Sequence, residues 1–380
     1  MNAPLPLEGI RVVEFSHMVM GPSCGLVLAD LGAEVIKVEP AGKGDPTRYL
    51  TSTGAGFFPA FNRNKKSVTL DLATPEGIEA AKRLVATADV FLENFRPGAL
   101  EAKGLGYEAL SASNPGLVYC SLKGFLAGPY EKRTALDEVV QMMSGLAFMT
   151  GPVGRPLRAG APVNDMMGGM FGAIAVMAAL RDRDRTGRGQ LVQSGLFENA
   201  AWLVSTHMMQ EAVSGKAPVP MSAGRRAWGV YDIFTTADGK SLFVGVVTER
   251  QWELFTGLLG DPALKDPAYA TNNDRSRARE TLIPLVQSIL GRFECERLET
   301  MCEEAGLPFA RVQTPSDLFD DPHLNAGGMV EEVLSDGKAT RIPGLPIQFG
   351  DARLGIRLPL PAPGEHNDEI LGPLGPKGSD

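Results

Sequence analysis

At 380 residues, 44% of them hydrophobic, the chain is long enough for roughly two domains with full cores. Its 37 Lys and Arg against 45 Asp and Glu give a net charge of −8, which argues against a nucleic-acid binder and leaves any anionic ligand to meet a local basic patch. Cys24, Cys120, Cys295 and Cys302 show no CxxC pairing, the histidines are scattered, and neither a signal peptide nor a bilayer-length apolar run is read, so the expectation is a metal-free cytoplasmic enzyme with reduced thiols and no membrane partner.

In chain order, Ile10–Ser16 reads as a buried strand and Gly21-Pro22 opens a helix through Leu31. Val35–Glu39 and Ser67–Asp71 are further strands, and Thr74-Pro75-Glu76 starts a helix with proline in its first turn. Asp89–Asn94 and Leu117–Ser121 continue a βαβ rhythm, the signature of an α/β fold with a Rossmann-like parallel sheet. Helices dominate from Asp137 to Val213, and a break follows at Ser214–Pro220. Tyr231–Gly245 reads as a hairpin turning at Asp238-Gly239, then helical patterns resume at Arg250–Leu259 and Arg277–Arg292, the second kinked or broken at Pro284. The expected division is a large domain from 1–220 and 330–380, with a smaller α+β domain at 221–329 between them.

Ligands of such sheets bind beyond the carboxyl ends of the strands, where Ser16-His17, Glu39-Pro40 and Asn94-Phe95-Arg96 fall. Neither Gly-x-Gly-x-x-Gly nor Gly-x4-Gly-Lys-Ser/Thr is present. Asn62-Arg-Asn-Lys-Lys66 and Asn94-Phe-Arg-Pro-Gly98 mix cations with amides at strand borders; they suit phosphates and an adenine, or are ordinary solvated loops. Asp165 stands at the mouth of an apolar helix, after Pro162 and Asn164 and before Gly168, Gly169 and Gly172. It is either an N-cap or a nucleophile; a helix N-terminus favours its charge, so it is expected to stay ionised at neutral pH. The glycines leave room for another backbone or a ligand.

Pro6-Leu-Glu-Gly-Ile-Arg-Val-Val-Glu-Phe-Ser16, Leu31-Gly-Ala-Glu-Val-Ile-Lys-Val-Glu39, Asn62-Arg-Asn-Lys-Lys-Ser67 and Glu93-Asn-Phe-Arg-Pro-Gly98 resemble the family III CoA-transferases, which include the α-methylacyl-CoA racemases. The resemblance continues in family order through Leu105-Gly-Tyr107, Thr186-Gly-Arg-Gly-Gln190, Asp321-Pro-His323 and Pro363-Gly-Glu-His366. It implies a homodimer of interlocked subunits, coenzyme A and acyl-CoA as substrates, and no permanently bound cofactor. It implies adenine near Val35, Ile36 and Lys37, and phosphates near Arg96 and the loop carrying Asn62 and Lys65. His17, Asn94, Phe95 and Asp137 join the CoA site, and Asp165 falls on the family's catalytic aspartate, which forms an anhydride and then an enzyme–CoA thioester.

The racemases place a histidine where this chain has Leu136, and leucine cannot move a proton, so transfer ranks above racemisation. Formyl-CoA transferases carry a glutamine at the position of Val19 and a glycine-rich loop where this chain reads Pro220–Trp228, which counts against a formyl/oxalate pair. The segment Lys123–Asp137 looks most like the succinyl-CoA:dicarboxylate branch, and Arg225 and Arg226 are candidate holders of an acceptor's far carboxylate, or else two solvated arginines. A CoA-binding protein without catalysis is a further alternative.

Overall fold

The computed structural model describes residues 5–223, 227–334 and 337–375. Contacts divide it into two units, Met1–Pro218 with Pro322–Asp380, and Val219–Asp321. The segment 322–329, given to the small domain on sequence grounds, belongs to the larger unit.

The larger unit is built on six parallel strands: β1 (Arg11–Phe15), β2 (Glu34–Pro40), β3 (Lys65–Leu70), β4 (Val90–Glu93), β5 (Val118–Lys123) and β6 (Leu191–Gly195). Their order is β3-β2-β1-β4-β5-β6, with Val12 beside Val35 and Val90. Strand alternation feeds two cores. Val12, Val35, Val90 and Leu92 pack with Leu28 and Val176 on one face, and Val13, Ile36, Phe91 and Tyr119 pack with Leu84 on the other. β6 falls inside the stretch where helices were expected to dominate. It is short and half-exposed, and its pairing with β5 rather than its own pattern makes it a strand.

The open edge of β3 is covered by the returning C-terminal segment. His366 N–H donates to Ser67 O at 2.9 Å, and Thr69 N–H donates to Asn367 Oδ1 at 2.9 Å. This blunts an otherwise unpaired strand.

On one face the first helix, Met20–Asp30, lies against the Asp165 helix, Val163–Thr186. The second helix is 24 residues long and apolar enough to cross a membrane, which corrects the reading that no such run exists. Its apolarity has a local cause: Ala173, Val176, Ala179 and Leu180 fill the core between the sheet and the first helix.

The smaller unit has an antiparallel sheet of β7 (Val230–Thr235), β8 (Ser241–Val246) and β9 (Phe309–Arg311), in that order. The β7–β8 turn carries Gly239 at φ +75°, and Asp238 accepts from Thr236 Oγ1 at 2.6 Å and from Cys295 N at 3.0 Å. The helix Arg279–Leu290 runs through Pro284 without a break. All four cysteines are free and buried.

Candidate active site

The strand order reverses between β1 and β4, and open parallel sheets bind ligands at that point, outside the carboxyl ends. Two segments meet there, Ser16–Met18 leaving β1 and Asn94–Arg96 leaving β4. Met18 adopts φ +64°, a conformation unfavourable for a side-chain-bearing residue and held only where its surroundings insist. Here they do. Lys37 Nζ donates to Ser16 O at 2.7 Å, and Met18 N–H donates to Thr47 Oγ1 at 3.1 Å. Between them, His17 N–H donates to Asn94 Oδ1 at 3.1 Å while Asn94 Nδ2 donates back to His17 O at 2.9 Å. The first helix then starts close by, at a spot only glycine fits, since a Cβ on Gly21 would lie 2.3 Å from Ser16 Cβ.

The Asp165 helix reaches the same place through its glycines. A Cβ on Gly169 would stand 2.0 Å from Ser23 Oγ, 2.7 Å from Met20 O and 2.9 Å from Cys24 N, so at this seam the room is for a backbone. Asp165 is not the N-cap. Pro162 occupies that position, and the orphan N–H groups of Asn164 and Asp165 donate to Asp137 Oδ1 at 2.8 and 3.1 Å. Asp137 is itself held by Gln141, whose Nε2 donates to Oδ2 at 2.5 Å and whose Oε1 accepts from Ala159 N at 2.8 Å.

With Asp137 as the cap, the Asp165 side chain is left to line a cleft of about 460 Å³ shared with His17, Met18, Asn94, Phe95, Arg96 and Asp137. Burial, and after it the charge of Asp137, push the Asp165 carboxyl up to about 7. This runs against the expectation that the helix terminus would keep it ionised at neutral pH: loss of hydration, and then the charge of Asp137, oppose its ionised form. The outcome is a carboxyl that titrates near neutrality in a cleft, the kind of perturbation that clusters at functional sites. His17 sits at the rim with its ring 5.4 Å from that of Phe95; the protein packed around it lowers its pKa, with Asp45 opposing.

Several residues expected to touch the ligand do not line this cleft. Val35, Ile36 and Lys37 are fully buried in the sheet, and Asn62 and Lys65 are buried beneath the first helix; none lines the cleft. Lys37 pairs with Asp45 at 3.0 Å, and Lys65 pairs with Glu14 at 2.8 Å while donating to Pro22 O and Asn62 Oδ1. Burial lowers Lys65 to about 8. These cations brace β1 and the turn after it. Arg225 and Arg226 lie outside the described residues.

A second recess of about 380 Å³ opens beyond the ends of β2 and β3, walled by Val38–Ala41, Leu70–Leu72, Phe95 and Lys103. Phe95 is common to both cavities, so they adjoin. Lys103 and the cleft residue Arg133 were not singled out in the sequence, since each is one more cation in a polar loop. Among the described residues, no group of three or more His, Cys, Asp or Glu is placed to hold a metal ion.

A model of CoA-transferase family III matches residues 7–367. The succinate–glutarate CoA-transferase of Agrobacterium fabrum is 36% identical over 389 residues, covering 98% of this chain and 96% of its own. The succinyl-CoA–D-citramalate CoA-transferase of Chloroflexus aurantiacus is 35% identical over 380 residues, covering 97% and 94%. The crystal structure of a CAIB/BAIF family protein from Brucella suis superposes with a TM-score of 0.86 at 35% identity, covering 98% of this chain and all of the other.

Proposed function

We propose, from the premise that this chain belongs to CoA-transferase family III, that it moves CoA from succinyl-CoA to a small dicarboxylic acid through covalent intermediates on Asp165. The observation that carries the reading is the Asp165 carboxyl, freed from capping its own helix by Asp137 and lining a cleft at the sheet's switch point. The named relatives act on succinyl-CoA with D-citramalate and on succinate with glutarate, which supports dicarboxylates as the class.

The reaction runs through exchanges that balance at each step. An Asp165 oxygen attacks the donor thioester carbonyl, the C–S bond breaks, and CoA leaves as thiolate, with the donor acyl group held on Asp165 as a mixed anhydride. The thiolate attacks the aspartyl carbonyl, releasing the donor acid and leaving Asp165 as the CoA thioester. An acceptor carboxylate then attacks that thioester, expelling CoA thiolate and forming a second mixed anhydride; the thiolate attacks the acceptor's acyl carbonyl in it, giving the new CoA thioester and freeing the Asp165 carboxylate. Each tetrahedral oxyanion needs donors; the N–H groups of Met20 and Gly21, which open the first helix, have no carbonyl within it to bond.

CoA would run from its thiol at Asp165 past His17 and Phe95, with Arg96 on its phosphates and adenosine in the recess walled by Pro40, Leu72 and Lys103. That recess replaces the buried Val35–Lys37 as the adenine site. Leu136 lines the cleft where a racemase would need an acid–base group, which favours transfer. Free cysteines suit the reducing cytoplasm. Met170, Ile174, Trp202 and Met208 leave apolar surface half-exposed or more, which suits burial against a second subunit in a homodimer.

The test is incubation with succinyl-CoA and a panel of dicarboxylic acids, with CoA esters resolved by chromatography. A new dicarboxyl-CoA formed as succinyl-CoA disappears supports the reading. Deuterium exchange α to the thioester, without any new CoA ester, would hand the site to racemisation.

A further inference from the structure

We propose that Arg133 is the specificity-determining residue for dicarboxylic acids, holding the carboxylate that does not react; this rests on the CoA-transfer reading above. Besides Asp137 and Asp165, the cleft carries three cations: Arg96, Lys123 and Arg133. A dianionic acceptor approaching two carboxylates needs a cation that is not already committed. Lys123 is committed, with its Nζ 3.0 Å from Glu93 Oε1. Arg96 also lines the cleft without an ion pair among the described residues, and is given to CoA's phosphates in the reading above.

Arg133 is neither paired nor diverted. Among the described residues no carboxylate lies within ion-pair distance of it and no acceptor meets its guanidinium. The guanidinium lies over the Tyr130 ring at 4.8 Å from the centroid, with the Phe125 ring at 6.0 Å. Those rings pack on each other at 5.7 Å and on Phe197 at 6.3 and 5.6 Å, which joins the exposed loop of Tyr130 and Arg133 to the buried Phe125. The backbone is tied as well, with Arg133 N–H donating to Tyr130 O at 2.8 Å. A guanidinium held over a ring keeps N–H donors free, and a free guanidinium can receive a carboxylate through two parallel bonds. Arg133 also stands four residues before Asp137, the cap of the Asp165 helix, so the selector and the reacting carboxyl share one framework.

The experiment compares the full-length enzyme with Arg133→Gln, Arg133→Lys and the double variant R225A/R226A. Steady-state transfer from succinyl-CoA is measured to glutarate and to pentanoate, which has the same chain length and one carboxylate fewer. Binding of free CoA is measured by calorimetry. Losing a bidentate charge-assisted contact raises the glutarate KM about 10–100-fold in Arg133→Gln, with the pentanoate KM within about twofold, CoA affinity unchanged, and partial recovery in Arg133→Lys. An unaltered glutarate-to-pentanoate preference overturns the assignment, as does its loss in R225A/R226A alone. A weakened CoA affinity in Arg133→Gln overturns it too, by making Arg133 a phosphate contact. Absence of any CoA exchange in the wild-type enzyme, by contrast, removes the functional reading itself.

Discussion

Replacing Asp165 by Asn should abolish transfer and stabilise the fold, with a defined dependence on pH. The wild-type carboxyl titrates at about 7 where an ordinary aspartate titrates at 3.8, because burial and then Asp137 oppose its ionised form. Below 3.8 the folded and unfolded chains both hold the proton, and the group affects neither. Between 3.8 and about 7 the unfolded chain releases its proton first, so folding loses stability as pH rises, and above about 7 the loss is constant. For an enclosed carboxyl that span corresponds to about 4 kcal/mol, at about 1.4 kcal/mol per pH unit. The cleft is open to water, and screening lowers the expectation to about 1–2 kcal/mol. D165N should therefore exceed the wild type in urea-unfolding stability by that amount at about pH 8 and match it near about pH 4. A gap that does not widen with pH, or a variant weaker than wild type at about pH 8, refutes the raised pKa.

Asp137→Asn removes the charge that helps raise Asp165 while keeping an oxygen to cap the helix, so the acid limb of the kcat/KM–pH profile should move below its wild-type position; a limb that stays or rises contradicts this. Gly169→Ala drives a Cβ into the backbone of the first helix and should cost about 3 kcal/mol, whereas Gly172→Ala meets the side chains of Leu122 and Cys24 and should cost about 1 kcal/mol. Equal midpoints in urea would show that the helix seam is looser than described. Lys37→Met strips the partner from buried Asp45 and frees the turn at Met18, for a loss of about 3 kcal/mol; a loss under about 1 kcal/mol would mean that the turn holds without it.

The strands through β5 and the β7–β8 hairpin were legible because each is a β-branched or aromatic run bounded by turn residues. β6 was not, since Leu191–Gly195 is half polar and owes its conformation to β5. The cleft was legible in part. Asp165, Asp137, His17 and Asn94–Arg96 do meet, and strand ends at a switch point bring them together. Lys37, Asn62 and Lys65 misled because cations at strand borders usually face solvent or phosphate. Only the order β3-β2-β1 sets Lys37 and Lys65 beside Glu14, turning them inward as structural partners. For the same reason the capping of one helix by Asp137, 28 residues away from Asp165, leaves no local trace.

Covalent loading of Asp165 is the step on which the proposed transfer turns. Mass spectrometry of the protein mixed with succinyl-CoA and digested, with and without hydroxylamine, tests it directly. An adduct is expected on the peptide carrying Asp165, converted by hydroxylamine and absent from Asp165→Ala. CoA exchange proceeding with no adduct on Asp165, or with the adduct on another residue, would contradict it.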